Sequence, residues 1–274
     1  MKRFDSYEKY CLIVEPYCRS SVYSNVFFMK EQLIRMIEQG VLYYKEADGN
    51  LLLFETADGF YRFYYYLTRD HLTLEPAHKW PAVVEFVYNG EMSEKQKKET
   101  ELLTNSGFRL VRKSRRMKID DLDRYRLDNE SRQDVFKVRP AGCGDADRVR
   151  QILKDSFNPL VARIPSSEEM PGLIRQNRIF VAVRGDDILG VTHFELKRKT
   201  AIVWQFAVDE AERGKGIGSA LYKETLRHLG TQVETVFTWV GVENVGAIRL
   251  YQRLGYQFDL KHSDEYVYPV SAGE

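Results

Sequence analysis

Cysteine is scarce in this chain: Cys11, Cys18 and Cys143 are the only three among 274 residues, an odd set with no metal-type spacing. That argues against a disulfide framework, and no metal is expected. Long apolar runs are missing too; none approaches the ~20 residues of a membrane span, so no membrane partner is expected. The start, Met1-Lys2-Arg3-Phe4-Asp5-Ser6, leads into polar residues rather than the apolar stretch of a secretory signal. A cytoplasmic location is expected by default. Nor does charge of one sign dominate, with 41 basic residues against 40 acidic ones and a net charge of +1. Nucleic-acid binding needs a basic stripe. The one candidate (Arg109, Arg112, Lys113, Arg115, Arg116, Lys118) is followed at once by Asp120, Asp121 and Asp123, and reads as the solvated face of a strand. Apolar content of 43% with 30% charge describes a globular protein long enough for one large domain or two ordinary ones.

The chain reads as two halves with one order of elements. The charged segment Asp120–Arg132 separates them, giving an N-terminal domain over 1–130 and a C-terminal domain over 135–274. In the second half a strand at 135–139 leads to a helix at 145–156 and a short helical stretch near 167–175. Strands follow at Ile179–Arg184, Ile188–Leu196 and 200–208, the first two joined by a Gly185-Asp186-Asp187 turn. A helix, a strand at 233–240, a helix near 245–254 stopped by Gly255, and two closing strands complete it. The first half offers helical spacing over 25–39, strands at 41–45, 51–55 and 60–67 with Asp-Gly turns between them, a strand at 82–88 and a helix at 93–105.

Between strands 200–208 and 233–240 the sequence runs Asp209-Glu210-Ala211-Glu212-Arg213-Gly214-Lys215-Gly216-Ile217-Gly218-Ser219. Strand, glycine loop and helix N-terminus make an anion site. First-turn N–H groups have no intrahelical partner, and the helix dipole favours negative charge there. Glycine lets the backbone approach a phosphate closely. A phosphate loop of the Gly-Lys-Ser/Thr kind is excluded, because Gly216 follows Lys215. A dinucleotide fingerprint lacks its third glycine, since Ser219 and Leu221 stand at the required spacings. What remains is Arg-x-x-Gly-x-Gly at Arg213, Gly216 and Gly218.

A second pattern, Asn244-Val245-Gly246-Ala247-Ile248-Arg249-Leu250-Tyr251-Gln252-Arg253-Leu254-Gly255-Tyr256, follows one strand later. Taken alone, Asn244 is a helix cap and Tyr251 part of an apolar helix stripe. The two patterns, in this order and at this spacing, resemble the GNAT superfamily of acyl-CoA-dependent N-acetyltransferases, with Leu-Gly-Tyr where the family has Leu-Gly-Phe. The resemblance covers residues 135–270; for 1–125 it rests on element order. In the first half only fourteen residues, Thr68–Pro81, join the corresponding strands, without a glycine, and Gln96 and Leu103 stand opposite Asn244 and Tyr251.

The resemblance implies a mixed α/β fold, a mostly antiparallel sheet flanked by helices, with two such domains in tandem, the first degenerate. Strands 200–208 and 233–240 would part at one end and admit acetyl-CoA as acyl donor. Its pyrophosphate would lie on Arg213, Gly214, Lys215, Gly216, Ile217, Gly218 and Ser219, and its pantetheine along Phe206, Ala207 and Val208 and near Asn244. Tyr251 would approach the thioester sulfur. The first half would bind no acyl-CoA and would either cover the acceptor end of the site or extend the interface of a homodimer.

Acetyl transfer to a primary amine by direct attack needs a neutral amine, although a free alkylammonium has a pKa near 10. It needs N–H donors for the oxyanion, which the end of strand 200–208 offers, and a proton for the departing thiolate, for which Tyr251 is the donor. No protein nucleophile is required, so Cys143 is incidental. For the base, His193 and Glu195 share one strand face; Glu195 is preferred, because it lies late on its strand and a partly desolvated carboxylate can accept a proton near neutrality. The acceptor is a small-molecule or peptide amine. Two other readings are an acyl-CoA-binding sensor without turnover and a transferase for longer acyl groups or non-amine acceptors.

Overall fold

The computed structural model describes residues 1–74, 80–126 and 136–269. They fall into two compact units, Met1–Lys113 with Lys261–Glu274, and Ser114–Leu260.

In the first unit β1 (Lys2–Arg3) precedes α1 (Tyr7–Ser20), whose N-terminus is capped by Ser6 accepting from the Lys9 N–H at 3.1 Å. A short strand β2 (Tyr23–Ser24) leads to α2 (Lys30–Glu38), which buries Leu33, Met36 and Ile37 at helical spacing. Three antiparallel strands follow: β3 (Leu42–Ala47), β4 (Asn50–Ala57) and β5 (Phe60–Leu67). The β3–β4 turn places Asp48 and Gly49 both at positive φ (51° and 78°), the backbone a two-residue hairpin demands. Next, β6 (Ala82–Asn89) runs parallel to β5 for two rungs only, Tyr61↔Ala82 and Arg62↔Val83. Beyond them the free edge of β5 is taken by β2, and Asn25 completes the cover. Its Nδ2 donates to the Phe63 carbonyl at 3.1 Å and its Oδ1 accepts from the Tyr65 N–H at 2.8 Å. Helix α3 (Glu94–Asn105) buries Leu103 and is followed by β7 (Arg109–Ile119). Residues Lys261–Tyr268 pair antiparallel with β6 and close the sheet of this unit.

In the second unit Ser114–Ile119 of β7 leads to a single turn, α4 (Asp123–Arg126), and then to β8 (Lys137–Pro140). Helices α5 (Ala146–Ser156) and α6 (Met170–Arg175) bury Val149, Ile152, Leu153, Met170 and Ile174. An antiparallel set, β9 (Ile179–Arg184), β10 (Asp187–Lys197) and β11 (Thr200–Val208), feeds α7 (Ile217–Gly230). β12 (Thr235–Gly241) then lies parallel to β11, and α8 (Val245–Arg253) and β13 (Gln257–Tyr268) are the last elements among the described residues. One core cluster packs α7, α8 and the sheet through Phe194, Val203, Leu221, Tyr222, Leu226 and Tyr251; a second packs α5 and α6 on Val181, Val191 and Ala207.

The fold is mixed α/β, with mostly antiparallel sheets flanked by helices and one order of elements used twice. The second unit inserts a helix, α7, between its third meander strand and its parallel strand; among the described residues of the matching connection, 68–74, 80 and 81, there is none. The division differs from contiguous stretches 1–130 and 135–274. β7 continues past Lys113 to pair with β12, and β13 continues past Leu260 to pair with β6. Much of the expected linker, residues 127–135, and the start of the expected 135–139 strand lie outside the described residues. Other differences are local. Helix α1 has no counterpart in the sequence reading, because Pro16 interrupts its pattern and only Tyr10 and Val14 are buried. The helix expected from residue 25 begins at Lys30, since Asn25 is held against β5. The two closing strands are one, β13: its polar stretch Ser263-Asp264-Glu265 is buried in the sheet rather than turned out in a loop.

Candidate functional site

Strands β11 and β12 pair for four rungs, from Thr200↔Thr235 to Val203↔Thr238, and then part. Gln205–Val208 keep β10 on one edge, and beyond Val203 the edge facing β12 is not paired by it. A bulge at the parting point sharpens the change of direction. His193 pairs with Gln205 while Phe194 pairs with Val203, so Trp204 is the extra residue and stands 41% exposed. Backbone approach is close here: a Cβ on Gly190 would lie 2.9 Å from the Ala207 carbonyl oxygen.

Helix α7 starts over this opening. Its N-cap is Gly216 at φ +81°, with no side chain to cap the helix, so the first-turn N–H groups of Ile217, Gly218 and Ser219 lack intrahelical acceptors. Gly214 shares the left-handed φ of +81°, which a side chain would strain. Gly218 serves the fit of helix on strand, because a Cβ there would meet the Phe206 ring at 3.1 Å and Val208 Cγ2 at 3.3 Å. Arg213 and Lys215 are exposed at the rim. Arg213 donates to the Val208 carbonyl at 3.3 Å, and Lys215 pairs with Glu212 at 3.3 Å. The loop thus offers aligned N–H dipoles, left-handed glycines and two cations within one turn of chain, which suits a phosphate-bearing group.

Tyr251 stands on the α8 face that packs on the sheet, its ring 5.3 Å from Tyr222 and 6.5 Å from Phe206. Its hydroxyl lies near that of Thr238, which donates to the Val203 carbonyl at 3.2 Å. Thr238 and Val203 form the last paired rung, so the phenol sits where the strands part. Burial pushes its pKa up to about 12, leaving it protonated at neutrality. Asn244 is the N-cap of α8, its Oδ1 accepting from the Ala247 N–H at 3.0 Å, and it is exposed. At the matching places of the first unit, Leu103 is fully buried and Gln96 belongs to a capping box with Ser93.

The two basic candidates on β10 differ sharply. His193 is 4% exposed and its Nδ1 lies 2.5 Å from Gln205 Oε1. Its Nε2 is buried with no hydrogen-bond partner, and desolvation holds its pKa below the ordinary value. Glu195, opposite Ile202, is exposed and lacks the desolvated setting expected of it. Among the described residues no His, Cys, Asp and Glu gather as metal ligands, and no helix is long and apolar enough to cross a membrane.

Sequence reasoning missed Gly190, Thr238 and the pairing of His193 with Gln205. A hairpin register counted from the Lys197↔Thr200 turn would set His193 opposite Trp204; the bulge moves it by one. Nothing local in the sequence marks that bulge.

Residues 146–256 match the family model described as the acetyltransferase (GNAT) family. The spermine/spermidine N(1)-acetyltransferase of Bacillus subtilis is 34% identical over 70 residues, 24% of this chain and 46% of that protein. An uncharacterised N-acetyltransferase of Methanocaldococcus jannaschii is 40% identical over 62 residues, 22% of this chain and 27% of its own length. The chain therefore spans less than half of the curated relatives it matches. Among solved structures, a GNAT-family acetyltransferase from Colwellia psychrerythraea aligns over 97% of this chain and 98% of its own, with a TM-score of 0.52 at 14% identity. A tandem GNAT protein from the clavulanic acid biosynthesis pathway aligns over 85% of both chains, with a TM-score of 0.54 at 14% identity. At such identities the likeness is one of fold.

Proposed function

We propose that the protein is an acetyl-CoA-dependent N-acetyltransferase acting on an amine by direct attack, on the premise that residues 146–256 match the GNAT acetyltransferase family model. The observation that carries the reading is the parting of β11 and β12 after Val203↔Thr238, with the uncapped N-terminus of α7 above it. The edge of Trp204–Val208 can pair with an extended amide-bearing arm, with Phe206, Ala207 and Val208 as its partners. Residues Arg213–Ser219 suit the pyrophosphate, and Asn244, the N-cap of α8, is assigned to the pantetheine arm.

The co-substrate supplies the acyl group as a thioester. Backbone N–H groups at the parted end of β11 stabilise the charge that develops on the carbonyl oxygen. Tyr251, protonated at neutrality, gives its proton to the leaving sulfur. The amine's own proton leaves toward β10, where His193 and Glu195 share a face. For the acceptor class we infer a primary amine, small-molecule or peptide; polyamines head the test panel because the B. subtilis relative is named for them.

Two measurements test this. Gly216→Val should abolish acetyl-CoA binding by calorimetry while circular dichroism stays unchanged, since a β-branched residue resists φ near +81°; unchanged affinity would remove the loop from the site. Turnover of any amine in a panel of polyamines, amino sugars and N-terminal peptides separates an enzyme from an acyl-CoA sensor.

A further inference from the structure

The buried imidazole of His193 has a defined tautomer. Gln205 Nε2 lies 2.8 Å from the backbone carbonyl of Arg163. A carbonyl only accepts, so the amide nitrogen must be the atom on that side, and Oε1 is the atom turned to the imidazole. Oε1 in turn only accepts, so the 2.5 Å contact requires the proton on His193 Nδ1. Nε2 is left with a lone pair, in a place buried from solvent, with no donor facing it. Leaving such an acceptor unsatisfied forfeits the hydrogen bond that water gave it in the unfolded chain. A donor that arrives only with a bound substrate would restore it.

We propose that His193 Nε2 is the proton acceptor for the attacking amine and that Gln205 is the positioning residue that fixes its tautomer. The proposal rests on the acetyl-transfer reading. The N–C bond forms as the amine nitrogen attacks the thioester carbonyl, and the amine proton passes to Nε2. The C–S bond breaks as Tyr251 protonates the sulfur. The imidazolium proton then returns through water to the Tyr251 phenolate, so that amide and free thiol are the only products and both side chains are restored.

The surroundings of His193 suit this use. Its cross-strand neighbours are Ile179 on β9 and Gln205 on β11, neither charged. Glu195 on its own strand and Glu169 at the start of α6 favour the imidazolium, and Arg163 opposes it. Glu169 and Arg163 face each other at 3.8 Å, which mutes both. Burial is the largest influence and keeps the ring neutral, with its lone pair available, to lower pH than a solvated histidine.

The test joins a spectroscopic and a kinetic readout. In protein labelled with ¹⁵N-histidine, with the His193 signals assigned through His193→Gln, the resonances should show a neutral Nδ1–H ring at pH 6.5. Gln205→Glu places a carboxylate against Nδ1 and should move the acid limb of the kcat/KM profile upward by a pH unit or more. His193→Gln should bind acetyl-CoA with wild-type affinity by calorimetry, lower kcat by about 10²–10⁴-fold and abolish that limb. An Nε2–H ring, or wild-type kcat and an unmoved limb in His193→Gln, overturns the assignment while leaving acetyl transfer intact. Absence of turnover with every amine, in wild-type protein that binds acetyl-CoA, removes the functional reading and the proton acceptor with it.

Discussion

Tyr251 and Glu265 are both buried, and burial raises the pKa of each, with opposite consequences near neutrality. Tyr251, raised to about 12, is uncharged at pH 7 in the folded and unfolded chain alike, so its burial carries no ionisation cost there. Between about pH 10 and 12 the unfolded phenol ionises and the folded one does not, so stability falls as pH rises through that window. Tyr251→Phe should flatten this alkaline loss in denaturant titrations. The same variant should keep acetyl-CoA affinity and slow turnover by about 10²–10⁴-fold, because the ring stays and the proton donor goes. Glu265 is raised to about 8 by desolvation, against the pull of Arg112, and its Oε2 has no partner. Its stability contribution is full below the ordinary carboxylate pKa and is lost as pH climbs toward 8. Glu265→Gln should therefore raise Tm at pH 8–9 and change it little at pH 4; a loss of Tm at pH 9 would contradict the assignment. The sequence announces Gly214, Gly216 and Tyr251 through spacing, because backbone freedom and helix periodicity leave local traces. It hides Glu265, which lies in a polar stretch of what the sequence divides into two closing strands, and the His193–Gln205 contact, which exists only because Trp204 bulges.

Elements with strict local grammar were legible. The Asp-Gly turns announced β3, β4 and β5, and Gly255, at φ +83°, stops α8 where helix-ending rules place it. Helix α1 is not legible because Pro16 breaks the pattern, and helical spacing makes α2 too long because a side chain, Asn25, rather than a helix breaker decides where it starts. The parting of β11 from β12 is a tertiary property. Sequence reading reached it only through family resemblance, whereas the structure shows how closely β11 is held to β10 beside it. Gly190 lets β10 approach β11 so closely that a methyl group would sit 2.9 Å from a backbone oxygen that cannot swing aside. Gly190→Ala should cost about 1–3 kcal/mol in urea unfolding, as overpacking does, and weaken acetyl-CoA binding through the displaced Ala207. Wild-type stability in that variant would show the strands free to separate there.

Across the whole molecule, one order of elements has two outcomes. In the second unit the parted edge beyond Val203 is left open, with a helix N-terminus over it. In the first unit β5 and β6 part in the same way, but β2 and Asn25 fill the edge and Leu103 stands where a tyrosine would be. Calorimetry should therefore count one acetyl-CoA per chain, and a count of two would mean that β2 yields its place to the ligand.

The interleaving of the two units along the chain also sets an order in time. During synthesis every residue of Ser114–Leu260 is available before Lys261 is made, so the unit completed first is the one encoded second. Until Lys261–Tyr268 emerge, β6 waits without the neighbour that will pair with Ala82–Asn89, and contacts such as Ser263 with Glu85 must close a loop of 178 residues. An unpaired strand edge is the kind of surface on which nascent chains misassociate. Slow decoding between Leu260 and Tyr268 would thus endanger the half of the protein that left the ribosome long before.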